Sequence, residues 1–251
     1  MRKIKITFFG SDKYSEIVLN ALKSNKNFQL VKLEKKPEVG VLASYGKILS
    51  VKELTVPKYG ILNIHPSLLP KYRGPSPVQT AILNGEKQTG VTIIKMDEEI
   101  DHGPIVAQFA ENIMTNDTAE SLYLRLFSAG VKVLITILPA YLGGKIETRK
   151  QEHSQATYTQ KFVREDGKID WQKPPDYLER MIRAFYPWPG TWTEIKLKTL
   201  NSDFRTKRLK ILKAHLENRK LILDIVQLEG KKPVSFKQFC EGYPTFSFLK
   251  N

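Results

Sequence analysis

The sequence predicts an α/β domain built on a mostly parallel sheet, followed by a small antiparallel β-barrel domain. Apolar, β-branched strand patterns alternate with helical patterns in the first part of the chain. Later strands are short and are separated by turns containing Gly or Pro, which is typical of a small barrel. The 251 residues suffice for two modest domains. We therefore predict a first domain at 1–144, a polar linker at 145–156 and a second domain at 157–251.

The chain opens with a strand, a turn and a helix. Residues 3–9 (KIKITFF) predict the strand, and Gly10 predicts the turn. Ser11 or Asp12 can cap a helix over about residues 14–24, where apolar residues recur at helical spacing. This unit resembles the mononucleotide-binding half of a dinucleotide-binding domain, but it lacks the full glycine pattern of a dinucleotide site, so we do not expect such a site.

The connection to the next strand is unusually short. Only EKKPE separates the apolar run at 28–33 from the strand predicted at 39–44. A parallel crossover needs about a dozen residues. We therefore expect 28–33 to be an edge strand of reversed sense or merely a return loop, with the first helix leading directly to the strand at 39–44.

The stretch from Gly60 to Gly103 carries the candidate chemistry. Asn63 and His65 lie where an apolar strand ends, and a helix is predicted at about 78–84. Asp101 lies in a turn that follows a β-branched strand. Because ligands bind beyond the carboxyl ends of strands in open α/β sheets, we expect the two strand ends to bring these three groups to one rim.

An amide, an imidazole and a carboxylate suit transfer of a group onto an amine. Asn63 can donate to an oxyanion, His65 can exchange a proton near neutral pH, and Asp101 can orient the imidazole. The alternative is structural: a strand-end cap, a partly exposed histidine and a turn aspartate. We expect no metal site, because the four histidines are scattered and the chain has a single cysteine.

The run NIHPSLLPKYRG, followed by GVTIIKMDEEIDHG, closely resembles the 10-formyltetrahydrofolate-dependent formyltransferases. The resemblance implies a Rossmann-like first domain in which Asn63, His65 and Asp101 are catalytic. It also implies folate binding by the Ser-Leu-Leu-Pro run at Ser67, Leu68, Leu69 and Pro70. The branch that acts on tRNA matches best, which implies 10-formyltetrahydrofolate as the donor and the α-amine of methionyl initiator tRNA as the acceptor.

The second domain carries its own resemblance and an excess of positive charge. The segments DGKIDW, RAFYPWPG and EGKKPVSF resemble the oligonucleotide-binding (OB-like) C-terminal domain of the same branch. The formal charge is +14, and nine basic residues face two acidic ones between Lys196 and Lys220. This predicts a surface for initiator tRNA, although lysine can also be simply a solvated surface residue. Trp188 and Trp192 could stack on bases or belong to the core.

Other features predict location and assembly. The first residues enter a strand directly and no run approaches the length of a membrane span, so we expect a cytoplasmic protein without membrane contact. The single Cys240 fits a reducing compartment and is expected to be structural. We expect a monomer. Arg73 could bind an anionic group or be a solvated loop arginine.

The sequence departs from the family in one place. After the second strand, members continue with a long basic loop, further helices and another strand, which this chain lacks between Leu33 and Val39. The resemblance implies that this loop reaches the acceptor stem of the tRNA, so selection of the tRNA is open. The alternatives are a formyltransferase for an amino sugar or another small amine, and a non-catalytic nucleic-acid-binding relative.

Overall fold

A computed structural model of the chain describes residues 2–198 and 204–248. The described chain divides into two compact units. The first comprises the residues up to Val78, Lys87–Met114 and Ser121–Lys161. The second comprises Gln79–Glu86, Thr115–Glu120 and the described residues from Phe162 onward. Two predicted regions, 157–251 and the basic stretch 196–220, include residues that lie outside the described part.

The first unit is built on a six-stranded sheet with the order β2-β1-β3-β4-β5-β6. The first four strands in that order are parallel, whereas β5 runs antiparallel to β4, and β6 antiparallel to β5. The predicted mostly parallel α/β sheet is therefore confirmed. The strands are β1 (Ile4–Phe9), β2 (Phe28–Leu30), β3 (Val39–Leu42), β4 (Ile61–His65), β5 (Gln88–Lys95) and β6 (Ile105–Asn112).

The expectation for 28–33 is wrong, because β2 pairs with β1 in the parallel sense. The register explains how so short a connection suffices. Leu30, the last residue of β2, and Val39, the first of β3, both pair with Ile6 of β1. The chain therefore crosses β1 at one level instead of returning along the sheet. A lateral step over one strand is about 10 Å, well within the reach of the eight intervening residues.

The α-helices within the first 142 residues of the sequence are α1 (Lys13–Ser24), α2 (Val51–Thr55), α3 (Pro77–Leu83) and α4 (Ala119–Leu142). Asp12 is the N-cap of α1, and its carboxylate accepts hydrogen bonds from the N–H groups of Tyr14 and Ser15. The predicted helices at 14–24 and 78–84 are thus confirmed to within a residue.

Helix α4 is the longest element of the first unit and packs against the sheet. An added Cβ at Gly130 would lie 2.7 Å from Ile64 and 3.1 Å from Val91, so the helix and the sheet approach closely there. By length and composition alone, α4 could cross a membrane, which corrects the expectation that no segment reaches that length. Its Leu122, Leu126 and Leu138 are instead buried in the protein, as in a core helix.

The two faces of β4 contact different parts of the first unit. Ile64 faces α4, and side chains an odd number of residues away project to the other side. On that other side Ile61 packs with Leu42 and Leu49, and Met96 lies against this cluster. Asn63 and His65 share the face of Ile61, because alternate residues of a strand point the same way.

The second unit contains a five-stranded antiparallel sheet with the order β10-β9-β8-β7-β11. Asn218 and Arg219, both with positive φ, form the tight turn between β8 and β9, as hairpin turns of type I′ require. The predicted β domain is confirmed at the level of its class. The elements are α5 (Pro175–Ala184), β7 (Thr191–Lys198), β8 (Phe204–Glu217), β9 (Lys220–Leu228), β10 (Val234–Ser235), α6 (Phe236–Gly242) and β11 (Ser247–Phe248).

The segment predicted to be a linker, 145–156, makes specific contacts within the first unit. Arg149 and Ile105 exchange two backbone hydrogen bonds of 2.9 and 2.7 Å. A short 3₁₀ helix follows at His153–Gln155. The Gln151 side chain is buried. The predicted domain limits at 144 and 157 stay a prediction.

Candidate active site

Strand β4 presents Asn63 and His65 side by side on one face. Both side chains are buried, with exposed fractions of 6% and 4%. The Nε2 atom of His65 lies 3.0 Å from the carbonyl oxygen of Tyr72, so this nitrogen carries a hydrogen that it donates to that carbonyl. The imidazole is thereby held at one edge, and its Nδ1 edge faces Asp101.

Asp101 joins the two β4 side chains. Its Oδ1 accepts a hydrogen bond of 3.0 Å from Asn63 Nδ2, and its Oδ2 lies 3.5 Å from His65 Nδ1. The same Oδ2 accepts a hydrogen bond of 2.8 Å from the backbone N–H of Gly74. The three residues predicted to be catalytic are therefore brought together in the structure.

The route by which Asp101 arrives differs from the expectation. β5 is antiparallel to β4, and its last residue, Lys95, pairs with Leu62 near the start of β4. Because the two strands are antiparallel, their carboxyl ends point in opposite directions. Asp101 reaches Asn63 because the β5–β6 turn folds back over the face of the sheet. Asp101 itself has a φ of +50°, in the left-handed region that residues other than glycine adopt infrequently.

A cavity of about 480 Å³ opens beside this group, which is within the usual size range of small-molecule sites. Asn63, His65 and Asp101 form part of its wall. Apolar residues complete another part, namely Leu42, Leu49, Leu54, Met96 and Ile100. The cavity thus combines a polar, hydrogen-bonding side with an apolar side.

A second polar corner of the cavity comes from the N-cap of α1, the loop after β3 and α4. Asp12, Ser44 and Tyr123 line it, and the Ser44 hydroxyl donates to Asp12 Oδ2 at 2.5 Å. Burial raises the pKa of the Tyr123 hydroxyl far above its ordinary value of 10.0, and nearby Tyr14 and Asp12 raise it further. Tyr123 is therefore a neutral group whose hydroxyl keeps its proton.

The predicted folate-binding run, Ser67–Pro70, directly follows β4 but is not part of this cavity wall as described. Ser67 is fully buried, and its hydroxyl donates to the carbonyl of Lys71 at 2.7 Å. Thr92 of β5 ties the run to the sheet. Its hydroxyl donates to the Ser67 carbonyl at 2.6 Å and accepts from the N–H of Leu69 at 3.1 Å. Leu69 packs with Ile94 and Ile105.

Arg73 has neither of the two environments expected for it. It is 1% exposed, so it is not a solvated loop residue. Its Nη2 atom donates to Gln151 Oε1 and to His153 Nδ1, each at 2.8 Å, and its Nη1 donates to the Tyr158 hydroxyl at 3.2 Å. The guanidinium therefore binds neutral groups of this chain. The burial of the charged guanidinium and its contacts within the chain indicate a structural task.

Three residues beside Asn63, His65 and Asp101 were not predicted from the sequence. Tyr72 and Gly74 contribute backbone atoms, to His65 and Asp101 respectively, and backbone contacts leave little trace in side-chain patterns. Gln151 was assigned to the linker, yet its Nε2 donates to the carbonyls of Asp101 and Gly103 at 2.8 and 2.7 Å. One polar residue in a polar segment carries no signal of such a contact.

The basic surface of the second unit lies on its sheet. Trp192 is buried, donates its Nε1–H to the Arg164 carbonyl, and has the Arg208 guanidinium 4.0 Å from its ring centre. Trp192 is thus a core residue, whereas Trp188 is 54% exposed. The exposed basic residues of the sheet and its tight turn are Lys196, Arg205, Lys207, Lys210, Lys213, Arg219 and Lys220.

Two further features bear on the chemistry. Within residues 2–198 and 204–248, no group of three or more His, Cys, Asp or Glu side chains is arranged to hold a metal ion. Cys240 is half-buried in α6 and forms no disulfide. Neither feature adds a reactive group to the site around Asp101.

Comparison with known families gives two matches that together extend over both units. The family described as formyl transferase matches residues 5–138, which is more than half of the chain. The family described as formyl transferase, C-terminal domain, matches residues 161–221. Asn63, His65 and Asp101 lie in the first match, and Gln151 lies between the two.

Individual proteins agree with this. The chain is 48% identical over 178 residues to methionyl-tRNA formyltransferase of Chloroflexus aurantiacus, covering 71% of the chain and 54% of that relative. It spans about half the length of several curated relatives that it matches. Methionyl-tRNA formyltransferase from Clostridium thermocellum has a similar fold, with a TM-score of 0.68, 23% identity and coverage of 90% and 98% of the two chains. A sugar 3N-formyl transferase, WlaRD, gives a TM-score of 0.64 at 21% identity, covering 92% and 100%.

Proposed function

Since the chain belongs to the formyl transferase family, we propose that it transfers a formyl group from 10-formyltetrahydrofolate to the α-amine of methionyl initiator tRNA. The observation that carries this proposal is the contact of Asn63, His65 and Asp101 at the wall of a cavity of about 480 Å³. Amide, imidazole and carboxylate are the groups that acyl transfer to an amine needs, since charge develops on the formyl oxygen and a proton leaves the amine.

The geometry assigns a task to each residue. Asn63 Nδ2 uses one hydrogen on Asp101 and has a second that it can donate to the formyl oxygen as negative charge develops there. His65 is anchored through Nε2, so its Nδ1 edge is the one that exchanges protons. The Nδ1–Asp101 separation of 3.5 Å is long for a hydrogen bond and can shorten when the substrates bind. Asp101 orients Asn63 and stabilises a protonated His65.

The cavity suits a folate donor in its chemistry. A pterin is a flat ring with polar edges, and the cavity offers an apolar side formed by residues such as Leu42 and Met96 beside polar groups such as Asp12. When bound, the donor supplies the formyl carbon. We propose that Ser67, Leu68, Leu69 and Pro70 contribute to folate binding by fixing the chain that leaves His65. The related WlaRD structure, obtained in the presence of dTDP and 5-N-formyl-THF, supports a folate-derived donor.

The acceptor is inferred from the relatives and from charge. Relatives that include one of 42% identity over 222 residues are methionyl-tRNA formyltransferases. The exposed basic residues of the second unit, for example Lys207 and Lys210, suit the phosphates of a tRNA. An amino sugar remains the second candidate, because a sugar formyltransferase shares the fold. A sugar acceptor would not require that basic surface. We infer a monomer in the cytoplasm, where initiator tRNA is used.

The test is formyl transfer from 10-formyltetrahydrofolate to methionyl initiator tRNA, with methionyl elongator tRNA assayed in parallel. We expect transfer to the initiator. Transfer confined to it would mean that selection survives without the basic loop of the family, whereas equal transfer to both would make that loop the source of selection. No transfer to either tRNA, with folate still bound, would refute the proposed acceptor and favour a small amine. A dTDP-amino sugar, assayed in the same way, tests that alternative directly.

A further inference from the structure

We propose that Gln151 is a positioning residue that holds Asp101 in its active geometry. Gln151 lies in neither region matched by the family comparisons. Its side chain is 5% exposed and is not in contact with the cavity as described. It therefore acts on the site through Asp101 and does not touch the substrates. The role of Gln151 in catalysis rests on the proposed function. The proposal that Gln151 fixes the position of Asp101 does not depend on it.

The turn that carries Asp101 needs support from outside itself. It must fold back over the sheet to reach Asn63, because β5 ends beside the start of β4. Asp101 has a φ of +50°, in the left-handed region that residues other than glycine adopt infrequently. Gly103, two residues later, is pressed against β5, where an added Cβ would lie 1.9 Å from the Lys95 carbonyl oxygen. A strained turn of this kind is retained only when surrounding contacts fix it.

Gln151 supplies such contacts at Asp101 itself and at Gly103, two residues later. Its Nε2 group has two hydrogens, and they go to the carbonyls of Asp101 at 2.8 Å and Gly103 at 2.7 Å. Its Oε1 accepts from Arg73 Nη2 at 2.8 Å. The orientation of the amide is thereby fixed, because Arg73 can only donate and the two carbonyls can only accept. All three of these polar contacts are shielded from water by the burial of both side chains.

Residues shortly after Gln151 also fix the backbone that donates a hydrogen bond to the Asp101 carboxylate. The backbone of Arg73 bonds to both Thr157 and Thr159: its N–H donates to the Thr157 carbonyl at 2.8 Å, and its carbonyl accepts from the Thr159 N–H at 2.7 Å. Gly74, the next residue, donates its N–H to Asp101 Oδ2. Residues 151–159 thus make two kinds of contact. Gln151 bonds to the backbone of Asp101, and residues 157–159 fix Arg73 beside Gly74, the residue whose N–H donates to the Asp101 carboxylate.

Two variants separate the contacts of Gln151. Gln151→Met removes all three hydrogen bonds at similar volume. Gln151→Glu keeps an acceptor for Arg73 but places a carboxylate against two carbonyls. We expect both variants to lower kcat for formyl transfer by roughly tenfold or more, since each lost hydrogen bond is worth up to about a tenfold change in an equilibrium. The KM for the folate donor should change by no more than about twofold, because Gln151 does not contact the cavity. A twofold change corresponds to less free energy than one hydrogen bond contributes. A loss in Gln151→Met alone would mean that pairing of Arg73 is what matters and would overturn the proposal.

A double-mutant cycle tests whether the effect passes through Asp101. We expect Gln151→Met to change kcat little in an Asp101→Asn background, because the residue that it positions has already lost its function. Effects that multiply would show that Gln151 acts independently, and the proposal would then be wrong. The control is Tyr141→Phe, which removes a hydrogen bond of 2.8 Å to the Tyr59 carbonyl elsewhere in the first unit. It should lower stability without lowering kcat.

Hydrogen exchange at the Gly74 amide tests the positioning without any activity. In Gln151→Met we expect this amide to exchange roughly tenfold faster than in the unmodified protein, since its bond to Asp101 loosens. Tyr141→Phe should leave it unchanged. Unchanged exchange in Gln151→Met would overturn the proposal even if formyl transfer is confirmed, and faster exchange would support it even if the proposed function fails. Should Gln151→Met not fold, Gln151→Asn, which cannot span all three partners, replaces it.

Discussion

Replacing Asp101 with asparagine tests the proposed chemistry most directly. The carboxylate accepts from two donors at once, Asn63 Nδ2 at 3.0 Å and the Gly74 N–H at 2.8 Å. An asparagine amide offers one oxygen and one NH₂ group, so in either orientation its NH₂ faces one of these donors. One hydrogen bond is lost, and the negative charge facing His65 Nδ1 disappears with it.

The size of the expected effect follows from these two losses. Removing a preorganised group that acts on developing charge costs about 3–4 kcal/mol in the barrier, which corresponds to a hundredfold to thousandfold loss of turnover. Leaving one buried donor unpaired should lower the free energy of unfolding by about 1–3 kcal/mol. Affinity for the folate donor should change little, because the altered atoms face Asn63, Gly74 and His65.

The assay is single-turnover formyl transfer to methionyl initiator tRNA, with urea unfolding to confirm that the variant is folded. Glu147→Gln is the control, because it removes the same charge from an exposed side chain of the first unit that does not line the cavity. We expect near-normal turnover in the control. Near-normal turnover in Asp101→Asn would refute the assignment of Asp101.

Three further predictions follow from the structure. Asn63→Ala and His65→Ala should each lower turnover by about a hundredfold while the protein stays folded, measured by the same transfer assay; turnover close to normal in both would contradict their roles. The raised pKa of Tyr123 means that above pH 10 the unfolded chain loses a proton that the folded chain keeps, so the free energy of unfolding should fall with rising pH by up to about 1.4 kcal/mol per unit. Urea unfolding at pH 9 and 11 checks this, and an equal pH slope in Tyr123→Phe would refute it. Replacing Lys207 and Lys210 together with Gln should weaken tRNA binding and reduce the slope of log K against log salt by about 1 per phosphate contact, measured by titration at several salt concentrations; an unchanged slope would place the tRNA elsewhere.

The fold was predictable wherever local pattern decides it. The helix that Asp12 caps and the strand carrying Asn63 and His65 were found from capping chemistry and apolar spacing. The direction of β2 was not predictable, because the length of the connection does not fix the levels at which β2 and β3 pair with β1. Their meeting at the level of Ile6 is a matter of register, and register depends on contacts between strands.

The sequence predicted which residues meet at the candidate site, but it did not predict how the fold brings them together. The identities of Asn63, His65 and Asp101 came from a long motif, but the expectation that two strand ends deliver them to one rim was wrong. A turn that folds back, a positive φ and a distant glutamine bring Asp101 into place instead. Arg73 was misjudged for a related reason: an arginine in a polar loop normally reaches solvent, and here the later segment at 151–158 covers it.

The sheet order explains how the chain could lack the loop that the family resemblance implies after β2 and still keep this site. β1 and β3 separate β4, with its Asn63 and His65, from β2. The hydrogen bonds described for Asp101 and His65 come from β4, from residues 72–74 and from Gln151. The short connection after β2 takes part in none of these bonds. A shorter connection there would alter one edge of the sheet and leave the contacts of Asp101 intact. Under the proposed function, we therefore expect it to change which tRNA is selected and not the transfer of the formyl group.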